Sequence, residues 1–125
     1  MSLIHGSQGI IYFVHRFQPT FLEAALLHDP GMLAAVTKIN NQIHKLAPVL
    51  NSPSVEGMAT VTSLNPAVPI DIMLKRDGST KYLFAVGMRN AATEGVFTLT
   101  DTKAKLRVEV MGENRTIEAE NGTFT

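Results

Sequence analysis

The 125-residue chain contains no cysteine and no tryptophan, and its aromatic residues are six Phe and two Tyr. Without cysteine there is no disulfide framework, no thiolate metal site and no cysteine nucleophile, and the absence fits a reducing and an oxidising compartment alike. Without tryptophan, the flat stacking platform of a dedicated sugar-binding module is thin. An excess of charge is missing too. Eleven Lys and Arg balance eleven Asp and Glu, which leaves no net field to gather nucleic acid or anionic lipid. Apolar runs such as Ile10 to Val14 and Ala24 to Leu27 fall far short of the ~20 residues that span a bilayer. No basic stretch followed by an apolar core opens the chain, so nothing in it reads as a secretory signal. Met1-Ser2-Leu3 reads as an expression leader. At this length a single domain buries roughly two thirds of its unfolded surface, so one self-supporting core is the size-based expectation.

What is present divides into two halves. Gly9 is followed by Ile10-Ile11-Tyr12-Phe13-Val14 before the polar His15-Arg16. This β-branched and aromatic run without polar alternation predicts a strand over residues 9–15, of the kind covered on both faces inside a parallel sheet. After Pro19, Thr20 is placed to cap a short helical segment, Phe21 to Leu27. A stronger helix is predicted over residues 30–47. Asp29 is a good N-cap, Pro30 sits where a missing N–H costs nothing, and Leu33, Val36, Ile39, Ile43 and Leu46 recur every three or four residues. Lys38, Asn41 and Lys45 mark the opposite face, and Pro48 predicts the end. Strand, connection and helix together read as one βα unit of a barrel or doubly wound sheet.

From Ser52 the pattern changes to short strands between turn residues. Six are predicted: Ser54 to Leu64, Ile70 to Arg76, Lys81 to Arg89, Gly95 to Thr100, Lys105 to Met111 and Arg115 to Ala119. Leu106, Val108 and Val110 alternate with Lys105, Arg107 and Glu109 most clearly; in the second strand Met73 and Leu74 compete for the inside. Asp77-Gly78-Ser79-Thr80, Gly112-Glu113-Asn114 and Asn121-Gly122 supply hairpin connections. The expected fold is mainly β, an antiparallel sandwich of six to seven strands preceded by an N-terminal strand and one or two α-helices. Only three residues follow the Asn121-Gly122 turn, and the parallel-type strand finds no parallel mate. Both ends therefore read as cut from something larger.

Three stretches carry a resemblance. Ile4-His5-Gly6-Ser7-Gln8-Gly9-Ile10-Ile11-Tyr12-Phe13-Val14-His15, then Asp29-Pro30 opening a helix, then Leu46-Ala47-Pro48-Val49-Leu50-Asn51-Ser52 resemble the eighth strand and last helix of the catalytic (β/α)8 barrel of a group of glycoside hydrolases. Lys81 to Val86, Val108-Glu109-Val110, Arg115-Thr116-Ile117 and Glu120 to Thr125 resemble the β-sandwich that follows that barrel. The resemblance implies residues 1–3 as leader, 4–50 as the last βα unit and 51–125 as the C-terminal sandwich. It further implies that the remainder of the barrel is the partner and an oligosaccharide the ligand. In that group the Asn-Gly turn leads into an acidic, aromatic loop and a final strand that this chain lacks.

Hydrolysis of a glycosidic bond needs two carboxyl groups, about 5 Å apart for retention or 6.5–9.5 Å for inversion. The resemblance places the two glutamates on barrel strands absent here. Asp29 reads as a helix cap and the remaining acids as solvated groups on turns or outward strand positions, so no catalytic residue is assigned. Barrel chemistry is built at the C-terminal ends of strands, which points to His15, Arg16 and Phe17 as substrate-binding candidates. His15 or Arg16 would hydrogen-bond a sugar hydroxyl and Phe17 would stack on a ring. The alternative is that Phe17 packs under the loop and Arg16 is solvated. His5, His15, His28 and His44 show no metal-ligand spacing, and no Gly-rich phosphate-binding pattern occurs, so no metal or cofactor is expected. A non-catalytic carbohydrate-binding or protein-interaction module is the competing reading. An unpaired strand at residues 9–14 also predicts a homo-oligomer formed through that segment.

Overall fold

The computed structural model of the chain describes residues 1–102 and 104–125, in two compact units: Gln8–Asn51, and Met1–Ser7 together with Ser52–Thr125. The second unit is mainly β. It holds seven antiparallel strands, β1 (Ala59–Ser63), β2 (Ile70–Asp77), β3 (Thr80–Gly87), β4 (Gly95–Leu99), β5 (Leu106–Val110), β6 (Arg115–Ala119) and β7 (Thr123–Phe124). They form a sandwich-like set of three small sheets, ordered β1-β4-β7, β2-β3 and β5-β6.

Local turns account for two of these sheets. Asp77 pairs with Thr80 across a two-residue connection that joins β2 to β3, and Val110 pairs with Arg115 to join β5 to β6. Such hairpins need little loop-closure entropy, so turn chemistry alone selects the partner. The third sheet is built from non-local pairs: Val61 faces Phe97, and Phe97 faces Phe124 on its other side. Two of the three residues after the Asn121-Gly122 turn, Thr123 and Phe124, thus find a mate in β4. Ser54 contributes only an isolated bridge to Lys75, which shortens the first strand relative to its predicted span. Leu74, at 4% exposure, wins the inside position over Met73, and it joins Val68, Leu99 and Ala119 as the buried residues of this unit. Residues 1–7 belong here: the His5 Nε2 lies 3.0 Å from an Asp71 carboxylate oxygen, and Leu3 and Ile4 are half-buried.

In the other unit, α1 runs Pro30–Leu50. The Asp29 carboxylate accepts the Met32 N–H at 2.9 Å, satisfying one of the donors that a helix start leaves open. Pro48 does not end the helix at residue 47. Its missing N–H removes one bond in the last turn only, while its fixed φ is helical, so the chain continues to an Asn51 N–H that donates to the Ala47 carbonyl at 2.9 Å. Leu33, Val36, Ile43 and Leu46 are half-buried as the periodicity predicts, whereas Ile39 stays 49% exposed.

Two further expectations for this unit fail. Residues 9–14 are extended but form no strand: the one backbone pairing nearby is an antiparallel bridge between Arg16 and Leu22. A strand exists through its partner, and no described segment offers a parallel edge. The helical segment predicted at Phe21 to Leu27 shrinks to a 3-10 turn, Ala25–His28. The bridge explains this, because the Leu22 carbonyl accepts from the Arg16 N–H at 3.0 Å instead of from the Leu26 N–H, as a helix starting at Phe21 would require.

Candidate functional site

The Arg16–Leu22 bridge folds residues 16–22 back on themselves, with a cis peptide between Gln18 and Pro19. Two aromatic residues inside that turn, Phe17 and Phe21, therefore meet, with ring centroids 5.8 Å apart. The extended chain before it adds two more rings. Phe13, His15 and Phe17 are spaced by two, which puts their side chains on one side of an extended backbone. The Phe13 ring lies 5.2 Å from His15 and 5.9 Å from Phe17, and His15 lies 6.0 Å from Phe21. Four rings thus form a closed cycle of neighbours at distances typical of aromatic pairs. Phe13, Phe17 and Phe21 remain 73, 66 and 62% exposed, so the cluster presents its faces outward instead of filling a core.

Beside it lies an open cleft of about 330 Å³ whose walls include Tyr12, Phe13, His15, Leu26, Asp29 and Met32. The Tyr12 hydroxyl donates to the Asn40 Oδ1 at 2.7 Å, tying the extended segment to α1. His15 is half-buried, and its Nδ1 is shielded from solvent without a hydrogen-bond partner among the described residues. A polar atom in that position costs about 1–3 kcal/mol until something satisfies it.

The three sequence-selected residues separate here. His15 and Phe17 belong to the ring cluster, while Arg16, one residue out of phase, is exposed and joins the site only through its backbone. Phe13 and Phe21 were not among the candidates. The two-residue spacing Phe13-His15-Phe17 carried the signal for the first; Phe21 enters through a turn that no local pattern announces.

No family model, no curated protein and no solved structure matches the chain. Chemistry must therefore be argued from the side chains alone.

Asp29 is the carboxylate lining the cleft, and one of its oxygens is engaged by the Met32 amide. Elsewhere the acids sit at the surface, several in ion pairs: Asp71 with His5, Asp101 with Lys81, Glu113 with Arg115, Glu118 with Lys105. Among the described residues no three of His, Asp or Glu converge as a metal site, and no helix is long and apolar enough to cross a membrane. Exposed phenylalanine rings are suited to stacking on the apolar face of a ligand, while the unpartnered His15 Nδ1 is itself shielded from solvent. Proton transfer between paired carboxyls is outside what this arrangement can do.

Proposed function

We propose that this chain is the C-terminal portion of a glycoside hydrolase. Residues 8–51 would supply the last βα piece of the catalytic barrel, and the strand unit would be an accessory β-sandwich that supports the barrel without being catalytic alone. The observation that carries this reading is the state of residues 10–14: an extended, uncharged, β-branched and aromatic segment with no ladder partner among the described residues, leading through an aromatic turn into a capped amphipathic helix. Near-continuous apolar runs of that kind are typical of strands in parallel sheets covered on both faces, and a barrel supplies a parallel neighbour on each side. Its C-terminal mouth is where His15 and Phe17 would then lie. A pyranose presents a C–H face that stacks on exposed phenylalanine rings, which fits the cluster described above.

Two measurements test the proposal. The isolated chain is expected to show no turnover of aryl glycosides; rates like those of an intact glycosidase would overturn it. The coding sequence upstream of Leu3 is expected to encode further βα units with glutamates at strand ends, and its lack of them would remove the parentage. Titration with oligosaccharides separates the competing module reading, which requires saturable NMR shifts confined to one face of the strand unit.

A further inference from the structure

Exposure along residues 10–13, which form no ladder among the described residues, alternates. Ile10 and Tyr12 are 43 and 39% exposed, whereas Ile11 and Phe13 are 98 and 73% exposed. That is a period of two, the signature of a strand with one side turned toward its own unit and the other bare. Tyr12, on the covered side, is held by Asn40, so the segment is fixed to α1 in an extended form while its backbone edge stays without a ladder. Its six residues, Gly9 to Val14, contain no charge and no proline, and so none of the devices that usually protect an open edge.

We infer that a second copy of this chain covers the segment, pairing residues 10–14 with their own counterparts as an antiparallel two-stranded ladder across a two-fold axis. The register follows from the alternation. Only a two-fold passing through a residue keeps like faces together, and the axis through Tyr12 pairs all five residues: Tyr12 with Tyr12, Ile11 with Phe13, Ile10 with Val14. Both copies then turn Ile11 and Phe13 to one side, forming two aromatic to β-branched cross-strand pairs, among the favourable pairings in antiparallel sheets.

The surface available matches what such a dimer needs. Ile10, Ile11, Phe13, Phe17, Phe21 and Met32 are each 43 to 98% exposed. With roughly 200 Å² per large apolar residue they leave about 800 Å² open. This exceeds the roughly 300–600 Å² patch of a typical monomer and equals the roughly 800 Å² that each partner contributes to a stable interface. Balanced charge over the whole chain leaves no net repulsion between copies. An isologous contact also closes, so assembly stops at two. The inference concerns the chain by itself and does not depend on the glycosidase parentage.

Light scattering on the full chain is expected to give twice the 13.6 kDa chain mass. Ile11→Lys is expected to abolish the doubled mass with an unchanged circular dichroism spectrum, because a side chain that is 98% exposed has no contact to lose within one copy. The absence of native cysteine makes a single introduced thiol a clean reporter of register. Tyr12→Cys is expected to form an intermolecular disulfide under mild oxidation, since residues on the axis lie about 4.5–5.5 Å apart. Ile10→Cys, whose copies are more than about 10 Å apart in this register, is not. A single-chain mass at all concentrations, a doubled mass that survives Ile11→Lys, or cross-linking of Ile10→Cys as readily as Tyr12→Cys would each overturn the inference.

Discussion

Gly122 and Leu99 are locked together through their backbones: the Leu99 N–H donates to the Gly122 carbonyl at 2.9 Å, and a Cβ at Gly122 would lie 2.4 Å from the Leu99 carbonyl oxygen. This contact holds the C-terminal turn against β4 beside the buried Leu99 side chain, and it places Phe124 to stack on Phe97 with ring centroids 5.4 Å apart and planes 18° from parallel.

Gly122→Ala should therefore destabilise the strand unit by about 3 kcal/mol or more, since the left-handed φ of +77° costs roughly 1–2 kcal/mol and the clash is with backbone that cannot rotate away. Gly78→Ala is the control. Its φ of +58° is also left-handed, but nothing lies within 4 Å of the added Cβ, so only the roughly 1–2 kcal/mol conformational cost applies. Urea unfolding of the two variants measures the difference, and equal losses would contradict this account.

Removing the helix cap should be felt locally. Asp29→Ala deletes the acceptor for the Met32 amide at a cost of about 1 kcal/mol, which corresponds to roughly fivefold faster amide hydrogen exchange in the first turn of α1. Asp29→Asn keeps an acceptor oxygen and should exchange at close to the original rate.

The Lys81 ammonium hydrogen-bonds the Asp101 carboxylate and holds its pKa below the usual value of 3.8. A carboxyl lowered in the folded state contributes stability that is present in full above the unfolded-state value and lost as pH falls through the folded-state value. Unfolding experiments from about pH 5 down to pH 2 should show this loss. Lys81→Met should flatten it, as should high salt, because the pair is partly exposed and therefore screened. An identical acid limb in Lys81→Met would exclude the pair as its source.

Legibility in the sequence followed the range of the interaction. The cap at Asp29, the apolar stripe of α1 and the hairpins at Gly78 and Gly112 depend on neighbours within about four residues; the cap and hairpins are present as read, and the stripe is so at Leu33, Val36, Ile43 and Leu46 but not at Ile39, which stays exposed. Residues 9–14 have strand composition but no strand, because composition supplies willingness to pair and not a partner. In the candidate site His15 and Phe17 were readable from position after an apolar run. Phe21 was not, because it joins them only through the Arg16–Leu22 bridge, which also displaced the helical turn expected there.

The amino-acid order by itself determined the class of this protein: one capped amphipathic helix, a series of short alternating strands with their turns, no net charge and no cysteine. Tertiary structure decided which strands are neighbours, bringing β1, β4 and β7 into one sheet across more than twenty intervening residues at each step. It also decided that Met1–Ser7 belongs with the strands and that three exposed phenylalanine rings gather with a half-buried His15. The division has one physical cause. Dihedral preference, capping and periodicity act between residues close in the chain, whereas pairing and ring contacts form between surfaces that exist only after those local elements have folded.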